Sequence, residues 1–125
     1  MKGNLGSGKT TFARFFIEEF AKKNNKKIKC PIISPTYNLI NNYDFGKNLK
    51  ICHADLYRIK NINEIIEIGL YEEMENRISL IEWPEKISKI FKERIDIFFL
   101  KKKTIDKIDL SIKFFGMKSF LIKRI

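Results

Sequence analysis

Gly3-Asn4-Leu5-Gly6-Ser7-Gly8-Lys9-Thr10, running straight into Thr11-Phe12, is the stretch that decides the fold of this 125-residue chain. It matches the pattern GxxxxGK[ST] through Gly3, Gly8, Lys9 and Thr10. Glycines let such a loop curl so that several backbone N–H groups point at phosphates, and the helix that follows adds its positive dipole end. Lys9 is then the cation that reaches the β- and γ-phosphates, and the Thr10 hydroxyl is placed to hold Mg²⁺. Residues 3–11 together form the expected nucleotide cradle, with Asn4, Leu5, Gly6, Ser7 and Thr11 filling the positions around the motif. Beyond the loop, Phe12, Phe15, Phe16 and Phe20 recur at spacings of three and four. That spacing predicts an amphipathic helix from Lys9 to about Lys23 with these four rings on its buried face.

Working outward, residues 28–33 read as a short strand, with Pro31 arguing for an edge or a break. Ser34-Pro35-Thr36 reads as a loop, and a second strand is expected through Tyr37, Leu39 and Asn41. Phe45-Gly46-Lys47-Asn48 turns the chain into a third strand, about residues 49–54. A short helix over residues 61–68 would carry Ile62, Ile65 and Ile66 inward and stop at Gly69, with another acidic turn or two over 70–75. Ile78-Ser79-Leu80-Ile81 is an apolar strand ending at Glu82-Trp83-Pro84, and Pro84 opens a helix over 85–92. Two last strands, about 94–100 and 107–115, form a hairpin around a polar turn. The pattern is that of an α/β domain, a P-loop NTPase-like mixed sheet flanked by helices, in a single ATPase domain over residues 1–125.

A phosphate loop normally connects the end of a buried central strand to its helix, yet only Met1 and Lys2 precede Gly3. The expectation is a domain incomplete at its N-terminal side. Its sheet would have a gap beside the loop, and the 125-residue form would fold poorly.

Composition adds bounds. No apolar run approaches the roughly 18 residues that cross a bilayer, and no export signal is visible, so no membrane partner is expected. Cys30 and Cys52 are too few for a disulfide framework and read as free, buried thiols in a reducing cytoplasm. The net charge of +10 would suit an anionic partner. However, Lys, Ile, Asn and Phe are over-used together and share A/T-rich codons. Runs such as Lys22-Lys23-Asn24-Asn25-Lys26-Lys27 and Lys101-Lys102-Lys103 therefore read as solvated loops.

The metal side of a phosphate loop needs a second carboxylate, usually at the end of an apolar strand. Glu82 follows Ile78–Ile81 in that context, and Asp55 follows Ile51–Ala54. Glu82 would face the Mg²⁺ shell; Asp55 would orient the attacking water or meet the metal through water. Each could instead be a surface acid at a strand end. His53, the only histidine, reads as packed or hydrogen-bonded rather than catalytic. Trp83 is either a core anchor or a flap by the nucleotide. A guanine-binding Asn-Lys-x-Asp element is missing, because Asn25-Lys26-Lys27-Ile28 lacks the Asp, so ATP is favoured.

Four segments in order carry a resemblance to the TsaE family, bacterial ATPases of tRNA threonylcarbamoyladenosine biosynthesis. They are residues 3–12, Ser34-Pro35-Thr36-Tyr37-Asn38-Leu39-Ile40, His53-Ala54-Asp55-Leu56-Tyr57-Arg58 and Leu80-Ile81-Glu82-Trp83-Pro84-Glu85. Glu64 to Leu70 is similar to a further family stretch ending in Gly-Leu. Ala54 departs mildly, since many members have a bulky apolar residue there. The resemblance covers about residues 3–90. It implies ATP and Mg²⁺ as cofactors and TsaD and TsaB homologues as partners, with tRNA reached only through their complex. It also implies Glu82 as a Mg²⁺ ligand, Asp55 as needed for hydrolysis, and Thr36 in a switch-like loop near the γ-phosphate. The rival readings are a small P-loop kinase, which would want an Arg-rich lid, and a nucleotide-gated binding module without turnover.

Overall fold

Lys50–Asp55, strand β2, has five of its six residues buried, and the described part of the molecule is organised around it. The computed structural model describes residues 1–100 and 107–116. Helix α1 spans Lys9–Lys23 and strand β1 Ile40–Asp44; after β2 come α2 Ile62–Glu67, α3 Leu70–Met74, β3 Ile78–Glu82, a 3-10 turn Pro84–Lys86, β4 Arg94–Phe99 and β5 Leu110–Phe115. β2 pairs antiparallel with β1 and parallel with β3, giving a small mixed sheet, while β4 and β5 form an antiparallel pair.

Because side chains alternate along a strand, β2 serves two cores. Ile51 packs with Ile17 of α1 and Tyr43 of β1 on one face. Cys52 and Ala54 face the other way, into a cluster with Leu56, Ile65, Leu70 and Ile87. His53 and Asp55 share the α1 face with Ile51, and Leu80 of β3, also on that face, touches the clusters around Ile17 and Ala13. The α/β arrangement with a mixed sheet is as the sequence pattern predicts.

Several details differ. The buried stripe of α1 is Ala13, Ile17 and Ala21, not the phenylalanines: Phe12, Phe16 and Phe20 lie half-buried beside it, and Phe15 is 61% exposed. Small residues at 13 and 21 let the helix approach the sheet closely, which displaces the bulky rings to the flank. Residues 28–33 form no strand; Ile28, Cys30 and Ile33 point to solvent, only Ile32 joins a core cluster, and Pro31 has no N–H to give a ladder. Residues 35–38 are a turn, so β1 begins only at Ile40. In α2 only Ile65 is buried, with Ile62 and Ile66 exposed, although the Asn61 side chain caps the helix as its residue type allows. Gly69, at φ 68°, separates α2 from α3. The helix expected over 85–92 shrinks to the 3-10 turn, since Ile87 reaches the core while Ile90 stays 52% exposed. The terminal hairpin forms, with Arg94 opposite Phe115; its turn and the Lys101-Lys102-Lys103 run lie outside the described residues.

Met1 and Lys2 occupy the space between β3 and β4. The Met1 amine donates to Ile81 O and Trp83 N donates to Met1 O. Lys2 N donates to Ile97 O, and Phe99 N donates to Lys2 O, in parallel register with Phe98. The Lys2 ammonium also bonds the buried Asp96 at 2.9 Å. Burial alone would raise the Asp96 pKa, but Lys2 and Arg94 together hold it below the usual carboxylate value. Next to this two-residue joint, the facing edges of β3 and β4 border a groove of about 780 Å³ whose lining includes Ile78, Leu80, Ile95 and Ile97.

Candidate functional site

The loop of residues 3–8 ends in Gly8, the N-cap of α1, with φ 103° and no side chain to cap the helix. The first-turn N–H groups of any helix have no acceptor within it; here no side chain caps them, and no acidic residue in that turn opposes an anion. Gly3 is required sterically, because a Cβ there would lie 2.8 Å from the Phe99 Cβ.

Lys9 is buried at the base of the loop, where its ammonium donates to Gly3 O at 2.7 Å and Asn4 O at 2.9 Å, with Ser7 Oγ at 3.4 Å. Burial lowers its pKa, and the negative charges of Glu82, Asp55 and Glu85 pull the other way. The ammonium also lies 4.2 Å from the centre of the Trp83 ring, within cation–π range. Trp83 has a left-handed backbone at φ 54°, uncommon for a bulky residue and of the kind that collects at functional sites. That turn swings its ring over Lys9, and Tyr57 packs against it at 4.9 Å between centroids. Trp83 thus packs against the Leu56–Leu70 core, as a core anchor would, and also borders the cavity.

Asp55 and Glu82 are register partners at the carboxyl ends of the parallel strands β2 and β3, where open α/β sheets place ligands. The Thr10 hydroxyl lies 2.9 and 3.0 Å from the two Glu82 oxygens. Thr36 donates to Asp55 Oδ2 at 3.0 Å, and the Ser34 hydroxyl lies 2.6 Å from that of Thr36. Tyr57 N donates to Asp55 Oδ1 at 2.9 Å, so both carboxylate oxygens are held. A cavity of about 230 Å³ collects these groups, lined by residues 5–11, Thr36, Asp55, Tyr57, Glu82 and Trp83.

The structure therefore brings Lys9, Thr10, Thr36, Asp55 and Glu82 together, with Gly3 and Asn4 beneath them as acceptors for Lys9. Sequence reasoning missed Ser34 and Tyr57 as members of this set; the only signal for either is that Ser34 sits in the Ser-Pro-Thr segment and Tyr57 in the Asp-Leu-Tyr-Arg segment. His53 is hydrogen-bonded, its Nε2 lying 2.8 Å from Glu82 Oε1. Cys52 is buried, which pushes its thiol up to about 11, whereas Cys30 is exposed, against expectation.

The donor set suits Mg²⁺. Among the described residues no group of three or more His, Cys, Asp or Glu could cage a metal alone. Mg²⁺, however, typically takes one or two carboxylates and completes its shell with water and substrate phosphates. Thr10 and Glu82 are hard oxygen donors already in contact at the cavity wall. Among the described residues no arginine lines the cavity.

The family model described as threonylcarbamoyl adenosine biosynthesis protein TsaE matches residues 1–109. A protein of Rickettsia typhi called tRNA threonylcarbamoyladenosine biosynthesis protein TsaE is 45% identical over 87 residues, covering 70% of this chain and 56% of its own length. Proteins of the same name from Haemophilus influenzae and Borreliella burgdorferi are 36% and 35% identical over 87 and 98 residues; 69% and 76% of this chain, and 51% and 66% of theirs, are covered. The chain spans about half the length of the Rickettsia relatives it matches.

Proposed function

The chain belongs to the TsaE family, and from that premise we propose that it is an ATP-binding and ATP-hydrolysing protein of a P-loop NTPase-like fold. It supports a TsaD–TsaB assembly in forming N6-threonylcarbamoyladenosine at position 37 of tRNAs that read codons beginning with A. The setting is the cytoplasm, and tRNA is met only through the assembly. No helix among the described residues is long and apolar enough to cross a membrane.

The observation that carries this reading is the convergence of Lys9, Thr10, Asp55 and Glu82 on one cavity at the N-terminus of α1. Loop N–H groups and the helix end bind the phosphates. Lys9 exchanges the loop carbonyls Gly3 O and Asn4 O for phosphate oxygens, placing its charge at the β/γ bridge. Thr10 and Glu82 would hold Mg²⁺, which supplies neutralisation of charge developing on the phosphate oxygens. Asp55, held by Thr36 and the Tyr57 N–H, orients a water for attack on the γ-phosphorus.

The test is phosphate release from ATP with and without TsaD and TsaB. Slow release alone, faster release with the partners, and co-purification of the three with ATP are the expected results. Phosphate appearing only on a small acceptor would identify a kinase, and ATP binding with no release would identify a gated binding module.

A further inference from the structure

The Glu82 carboxylate is held from two sides, and one side has no part in binding nucleotide. His53 is fully buried on β2 and is not in the cavity wall. Because β2 and β3 are parallel and in register His53↔Leu80 and Asp55↔Glu82, His53 lies diagonal to Glu82 on the same face. Diagonal neighbours are about 7–8 Å apart at the backbone, a gap an imidazole spans. Its Nε2 meets Glu82 Oε1 at 2.8 Å. A carboxylate only accepts, so the proton of this bond sits on Nε2. The other nitrogen, Nδ1, is buried with no hydrogen-bond partner among the described residues. A buried polar group left half-satisfied costs free energy, and packing alone is met more cheaply by an aliphatic side chain in this position. Among the described residues, the one polar contact of the His53 side chain is the one to Glu82.

We propose that His53 is a positioning residue for the metal-side carboxylate: its Nε2–H clamps Glu82 Oε1 and leaves Oε2, with the Thr10 hydroxyl, as the oxygen pair offered to Mg²⁺. This rests on the nucleotide-site reading above. Groups that orient a metal ligand in this way typically change metal affinity by about 10–100-fold when lost.

The experiment titrates Mn²⁺, followed by its paramagnetic signal, into the protein with ATP, and separately measures ATP affinity without metal. His53→Leu removes the donor. His53→Asn places an amide only as far out as Nδ1, short of Glu82. His53→Gln carries an amide donor to the Nε2 position. The Leu and Asn variants should need at least about tenfold more Mn²⁺, with metal-free ATP affinity within about twofold of the parent. His53→Gln should recover most of the loss. If Leu fails to fold, the Asn–Gln contrast decides. Equal metal affinity in all forms, or equal impairment of Gln and Asn, overturns the clamp. A parent protein that binds ATP with no response to metal overturns the site reading itself, a result distinct from failure of the clamp alone.

Discussion

Lys9 satisfies its own charge with the acceptors of its own loop, and that arrangement sets what its loss should do. Lys9→Ala removes the only cation lining the cavity among the described residues. It should cut hydrolysis by at least about 10²–10³-fold, as loss of one preorganised charge-stabilising group does, and weaken ATP binding as well. Glu82→Ala should impair Mg²⁺-dependent hydrolysis more than nucleotide binding. Steady-state hydrolysis and ATP titrations with Mg²⁺ check both; parent-like activity in either variant would sink the assignment. Asp55→Asn keeps size and the hydrogen bond to Thr36 but loses charge, so ATP should still bind while hydrolysis slows. Poor binding with normal turnover of what is bound would contradict its role. The thiols separate by burial, since only thiolate reacts. A disulfide reagent should modify Cys30 alone in the folded protein and Cys52 only after denaturation, and rapid labelling of both would mean that β2 is not buried. Residues of the loop motif were legible because a local run of backbone builds their site. The contacts His53–Glu82 and Lys9–Trp83 cross 29 and 74 positions of chain, and one-dimensional spacing carries no signal for them.

At the scale of elements, periodicity identifies a helix more securely than it identifies which face is buried. Both stripes of α1 repeat every four residues, Ala13-Ile17-Ala21 and Phe12-Phe16-Phe20. Hydrophobicity scales favour the rings, but close approach to the sheet favours the small residues. Substitution tests this directly. Ala13→Leu adds three carbons where nothing is exposed and should cost about 1–3 kcal/mol by overpacking. Phe15→Ser, at an exposed position, should change stability by less than about 0.5 kcal/mol. Urea unfolding of the two variants is the measurement, and a larger cost for Phe15→Ser would restore the phenylalanine face. The segments misread from sequence, 28–33 and 85–92, share one cause. Each is apolar enough for a regular element, yet only one or two of its side chains reach a core, and without tertiary packing short elements are marginal.

For the molecule as a whole, the joint between β3 and β4 decides how well the described parts hold together. Met1 and Lys2 supply four backbone hydrogen bonds, two to the β3 side and two to β4, plus the Lys2–Asp96 pair. The parallel register of Lys2 with Phe98 sets a direction. A segment continued backward from Met1 would run along Ile81 and Leu80 on one side and Asp96 and Ile95 on the other, through the adjoining groove. A strand placed in that groove would pair with both facing edges. Each ladder hydrogen bond would add roughly 1 kcal/mol net, and each apolar side chain buried about 1.5–3 kcal/mol. Five or six residues would thus add an amount comparable to the roughly 5–15 kcal/mol by which a whole domain is stable. Because that strand would lead directly into Gly3, it would also fix the phosphate loop, so ATP affinity should rise with stability. The comparison is between the 125-residue form, a form with five or six alternating β-branched residues placed before Met1, and a form with a Gly/Ser extension of equal length. The apolar extension should raise both the melting temperature and the ATP affinity, and the Gly/Ser extension neither. Equal melting and equal affinity in all three would show that the groove takes no strand and that β3 and β4 are held well enough by Met1 and Lys2.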